Sequence, residues 1–146
     1  MIHARRSIRE AIVALLAAGG TAAGARVYDH PYDQRSTFPA LSVTDVTEQQ
    51  QALTMPAGAD RVIERGLVFE IAAEVQQTAN YARQRDDLLA DVEALLAGAA
   101  IAGVKSITPA GYAPLLDASG DRPIAIGRQR FEVLYFTPQG NPATTL

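Results

Sequence analysis

Residues 62–77 read VIERGLVFEIAAEVQQ, and this stretch decides the fold. Leu67, Phe69, Ile71, Ala73 and Val75 share one parity; Val68, Glu70, Ala72, Glu74 and Gln76 share the other. A period of two puts the first set on one face of a strand and the second on the opposite face. The same pattern returns in IGRQRFEVLYFT, residues 126–137. There Gln129, Phe131, Val133 and Tyr135 alternate with Arg128, Arg130, Glu132, Leu134 and Phe136. A shorter alternation, ALSVTDV at 40–46, sets Leu41 and Val43 against Ser42 and Thr44. These three stretches predict strands, and ARVYDH at 25–30 predicts a short one near Arg26–Tyr28.

Two stretches carry a helical period instead. Ile8, Ile12, Leu15 and Leu16 form one apolar face of a helix predicted over Ala4–Ala18. In ARQRDDLLADVEALLAGAA, residues 82–100, Leu88, Val92, Leu95, Leu96 and Ala99 line one side. Asp86 and Asp87 sit in its early turns, where the helix dipole favours acids. Gly98 or Gly103 is expected to end it.

The stretch AIVALLAAGGTAAGARVYDH, residues 11–30, admits three readings. Arg5, Arg6 and Arg9 before an apolar run, with small residues after it, suggest a secretion signal, but Glu10 abuts a run of only Ala11–Ala18. Gly19 and Gly24 have phosphate-loop spacing, yet Ala25 and Arg26 stand where lysine and a hydroxyl residue are required. The reading that explains most is a helix stopped by Gly19 and Gly20, since glycine readily adopts the left-handed conformation at a helix end.

Between the elements lie polar connections. DHPYDQRSTFP at 29–39 is one. TEQQQALTMPAGADR at 47–61 lacks periodicity and reads as a long, mobile hairpin loop. AGVKSITP suggests a short segment, AGYAPLLDASGDRP a turn-rich connection, and residues 138–146 a flexible polar tail. Long alternating strands with only two helices predict a single α+β domain over 1–146. Its expected form is an antiparallel sheet of about four strands with both helices on one face.

Composition narrows the function. Net charge is -3 over 146 residues, with a pI near 5.3. That balance argues against a protein whose main task is gripping nucleic acid. There is no cysteine, so disulfides, thiolate metal sites and cysteine nucleophiles are excluded. No apolar run approaches the roughly 18 residues of a membrane span.

No catalytic constellation converges in the sequence. His3 and His30 are the only histidines: the first lies at an expected frayed terminus, the second precedes a proline in a loop. Asp29, His30 and Asp33 of DHPYD could offer a metal three ligands, but nothing elsewhere completes the set. Asp86 and Asp87, adjacent on a helix, point in different directions. Ser36, Ser42, Ser106 and Ser119 lie in no nucleophile-elbow context. No enzyme activity, cofactor or metal is therefore expected. The strand charges say more. Glu70 and Glu74 recur on one strand face, and Arg128 and Arg130 on one face of the last strand. If those strands pair, opposite charges face one another. The result is either a solvated sheet face or a charged surface that docks another subunit, and Val68, Leu134 and Phe136 on the same faces favour contact.

In order, RRSIREAIVALL, AGARVYDH, FPALSVTDV, RGLVFEIAAEVQQ, RDDLLADVEALLAG and IGRQRFEVLYFT form a layout covering nearly the whole chain. This layout resembles the tail terminator proteins of long-tailed bacteriophages, the minor tail proteins of lambda-like phages. The resemblance rests on pattern, with no diagnostic motif. It implies a non-enzymatic α+β subunit of a homo-hexameric ring. Such a ring caps the tail tube, stops its polymerisation and offers the head-side neck protein a joining surface, in the virion and, during assembly, in the host cytoplasm. DNA passes through the hole, and no membrane is involved. On that reading Glu70, Glu74, Arg128 and Arg130 are expected at the subunit interface. Glu48, Asp60 and Arg61 of the long loop are expected at the tail tube or the lumen. A neck or head-closure connector is the second structural reading, and a small-ligand or metal-binding protein using DHPYD the third.

Overall fold

The computed structural model describes residues 1–30, 37–53, 61–117 and 123–146. Helix α1 spans Ala4–Ala18 and is followed by strands β1 (Val27–Tyr28), β2 (Ala40–Ala52) and β3 (Val62–Gln76). Helix α2 (Tyr81–Ala97) leads to β4 (Val104–Asp117) and β5 (Ile124–Pro138). The strands form one sheet in the order β1-β2-β3-β5-β4. The alternation in β3 does what its sequence demands. Leu67, Phe69, Ile71, Ala73 and Val75 are all buried on one face, and β5 supplies Phe131, Val133 and Tyr135 beside them. The rings of Phe69 and Phe131, opposite each other in the ladder, stack with centroids 5.6 Å apart.

Both helices cover this face. From α1, Ala4, Ile8, Ile12 and Leu16 are buried at four-residue spacing; from α2, Leu88, Leu89, Val92 and Leu96 are buried. These residues join the strand residues in one core. Each large apolar side chain so buried stabilises by roughly 1.5–3 kcal/mol. Gly19 caps α1 and Gly20 takes a φ of 71°, so the glycine pair ends the helix as predicted. A Cβ on Gly19 would meet Leu95 at 2.4 Å, so that glycine also lets the end of α2 approach.

Three expectations are corrected. The sheet has five strands, not about four, and it is mixed, because β1 runs parallel to β2. The added strand is β4. Its Pro109, Gly111 and Pro114 read as turn residues in the sequence. At the edge of a sheet, however, a proline has no outer ladder bond to lose. A bulge between Pro109 and Gly111, with Gly111 at φ 133°, absorbs the irregularity.

The expected loop at 47–61 is also partly strand. β2 stays paired with β3 to Ala52↔Ile63, and Leu53 N–H donates to the Val62 carbonyl. Residues 54–60 lie outside the described residues. A bulge between Asp45 and Thr47 shifts the parity of β2, and the polar Gln49–Gln51 run hides the strand from any apolar-periodicity reading.

Residues 138–146, expected as a flexible tail, are tied to the body. Ala4 N–H donates to the Pro142 carbonyl at 2.9 Å, and Leu146 N–H to the Phe136 carbonyl at 3.0 Å.

Candidate functional site

The face of the sheet opposite the helices presents the even-numbered residues of β3 and β5. The ladder sets Glu70 opposite Arg130, Ala72 opposite Arg128 and Glu74 opposite Ile126. Arg130 Nε lies 3.2 Å from Glu70 Oε2, so the two strand charges predicted to face one another do so within one chain. Arg130 is half exposed and Glu70 less so. Two shallow hollows share Glu70 and Arg128. One, of about 360 Å³, reaches Gly111 and Arg130. The other, of about 370 Å³, reaches Thr44, Leu115 and Asp117.

Glu74 departs from expectation. It is buried and accepts a hydrogen bond from Ser42 Oγ. A carboxylate removed from water in this way needs such a hydrogen-bond partner. Glu70, Arg128 and Arg130 are thus brought together on the open face, and Glu74 lies at the floor of the second hollow that Glu70 and Arg128 line.

The three residues assigned to the long loop are separated as well. Asp60 lies outside the described residues. Arg61 stands just before β3; its carbonyl accepts from Gln139 N–H at 2.7 Å. Its Nε is buried without a hydrogen-bond partner among the described residues. Glu48 is on β2, on the helix-side face opposite Leu67, with a side chain only 4% exposed.

Glu48 is the centre of a polar cluster that the sequence did not announce. It accepts from Tyr135 Oη at 2.5 Å, from Arg65 Nη1 at 3.0 Å and from Gln50 Nε2 at 2.7 Å, with Arg5 Nη1 at 3.6 Å. Arg65 also donates to Thr137 Oγ1 at 2.9 Å. Burial by itself raises the Glu48 carboxyl, and the hydrogen bonds from Tyr135, Gln50 and Arg65 more than offset it, so it titrates below the ordinary glutamate range. Burial, and then the bond to Glu48, hold the Tyr135 phenol in its neutral form well above the ordinary range. A strand parity of two does place Arg65 and Tyr135 on the core face, and that was the available signal. The bulge in β2 concealed the parity of Glu48.

His3, expected at a frayed end, is the N-cap of α1. Its Nδ1 accepts from Arg5 N–H at 3.1 Å. Burial and the nearby Arg5 charge lower its pKa. His30 stacks at a tilt on Tyr28, with centroids 5.5 Å apart. Asp33 lies outside the described residues. Among the described residues no group of three His, Cys, Asp or Glu side chains could hold a metal ion. No helix is long and apolar enough to cross a membrane.

No family model matches the chain, and no curated protein matches it significantly. Among solved structures, a chain in the virion of a native gene transfer agent particle is similar at 16% sequence identity and a TM-score of 0.45. The match covers 90% of this chain and 92% of that one.

Proposed function

We propose that this protein is a structural, non-enzymatic ring subunit of a phage-type tail. On this reading it closes the tail tube and gives the neck a surface to join. The observation that supports the reading is the element order. A basic first helix, a short strand, β2, the long β3, a second helix, the edge strand β4 and the closing β5 follow one another, and all but β4 correspond to the stretches on which the resemblance to tail terminators rests. Among the described residues the helices and the central strands share one core, with both helices on one face and Glu70, Arg128 and Arg130 on the other. An acidic subunit suits a ring through which DNA must slide, because a strongly basic lumen would hold it.

The test is genetic and visual. Deleting the encoding gene should leave tail tubes of uncontrolled length without heads in electron micrographs, and tails of normal length would refute the proposal. A pull-down against each neighbour separates terminator from connector: retention by the tube protein is expected, and retention by the portal-side protein alone would favour the neck reading.

A further inference from the structure

Among the described residues the two edges of the sheet are open, and they differ. β1 covers β2 only at Leu41 and Ser42, so no strand pairs with the outer side of Thr44–Ala52 among the described residues. β4 is the opposite edge, with β5 on one side only. The exposed large apolar side chains divide between these edges. Apart from the terminal Met1, Ile2 and Leu146, those among the described residues are Val46 at the β2 bulge and Tyr112, Leu115 and Leu116 on β4.

Hydrogen-bonding capacity divides in the same way. β4 contains Pro109 and Pro114, which have no N–H to give. The Thr44–Ala52 stretch contains no proline, so each N–H that does not bond β3 is a donor on its outer side. Two β4 edges would set one proline-bearing strand against another, whereas β4 beside β2 sets carbonyls against a strand whose outward N–H groups are all present.

Strand direction decides the rest. β2 is antiparallel to β3, β3 to β5 and β5 to β4, so β2 and β4 run in opposite directions. A rotation about an axis along the strands therefore brings β4 of one copy beside β2 of the next as antiparallel neighbours. The ladder also gives the level: Thr47 aligns with Val68, Glu132 and Thr108, so Thr108 of one copy stands near Thr47 of the next.

We propose that copies of this chain join head to tail by their sheet edges, β4 of one beside Thr44–Ala52 of the next, so that the ring wall is one continued sheet. This inference rests on the ring reading and names the surface it uses. It leaves Glu70, Arg128 and Arg130 for contacts other than those between neighbouring subunits. Nine residues of strand run about 31 Å at 3.4 Å each, and a contact about 10 Å deep buries about 300 Å² per side. That is well under the roughly 800 Å² per partner of a stable pair. A lone pair of subunits is therefore weak. A closed ring, in which every copy uses both edges, is the stable product.

The absence of native cysteine makes the test direct. Full-length Thr47→Cys and Thr108→Cys variants, both at exposed positions, are mixed at about 1 mM total protein with a short bis-maleimide. The expected result is a cross-linked pair at least tenfold more abundant than from either variant alone, and, for the double variant, a ladder that stops at one closed size. An equal yield from Thr108→Cys alone overturns the head-to-tail contact in favour of a two-fold one. An Arg128→Cys variant run in parallel separates the two failures. Cross-linking through Arg128→Cys in place of the edge pair overturns the edge contact and leaves the ring. No cross-link from any variant, with no rings on purified tail tubes, overturns both.

Discussion

Replacing Glu48 by alanine is the sharpest probe of this structure, because it removes the acceptor at the centre of the buried cluster. Tyr135 Oη, Arg65 and Gln50 lose their shared carboxylate together. Arg65 is 8% exposed and keeps only the neutral Thr137 hydroxyl. Breaking a buried pair by removing one partner costs about 3–5 kcal/mol. Arg5, at the rim, has a side chain 37% exposed and can turn to water, which favours the lower end, about 3 kcal/mol at pH 7. Tyr135→Phe keeps the ring and removes one hydrogen bond to a charged acceptor, worth about 1.5–3 kcal/mol. The two effects share an atom and must not add. In the Glu48→Ala background, Tyr135→Phe should cost less than about 0.5 kcal/mol, giving a coupling above about 1 kcal/mol. Urea unfolding followed by circular dichroism at pH 7 measures all four proteins. A Glu48→Ala variant within about 1 kcal/mol of the native chain, or an additive cycle, would refute the network.

Acid should loosen the same end of the molecule. The folded pKa of Glu48 is depressed, so its contribution is present above the unfolded value near 4.5 and is lost as pH falls through the folded value. His3, also depressed, favours the neutral form in the folded chain, so stability falls as pH drops from about 6.5 through its folded value, where protonated Nδ1 can no longer accept from Arg5 N–H. His3→Ala should cost about 0.5–1 kcal/mol at pH 7 and remove the upper part of that pH dependence in denaturant titrations. Gly127→Ala should cost about 1–3 kcal/mol by thermal melting, since its Cβ would stand 2.8 Å from Arg85 Cδ and 2.9 Å from Leu89 Cδ1, so that both α2 side chains must repack. Arg130→Ala should cost under about 1 kcal/mol in the same melt, because its pair with Glu70 is half exposed and screened.

The sequence by itself determined the elements whose side chains obey one period. Helix α1 ends at its glycine pair, β3 buries alternate residues from Arg65 to Ala73 and β5 from Phe131 to Thr137, and Glu70 meets Arg130 because two alternating strands pair in register. Apolar periodicity reports which face a residue buries, and over those runs the signal was legible. The remaining features depend on contacts between strands far apart in the chain. β4 is a strand because an edge tolerates prolines, and which strand is an edge is a property of the whole sheet. Glu48 is interior because one extra residue at Val46 reverses the parity of β2, and because Tyr135 and Arg65, distant in sequence, arrive with matching donors. Glu74 keeps the parity of Glu70 on the face opposite the helices and is buried there, with Ser42 supplying a bond. A charge reads as surface in sequence because burial without partners is prohibitive, and those partners are assembled only when the strands come together.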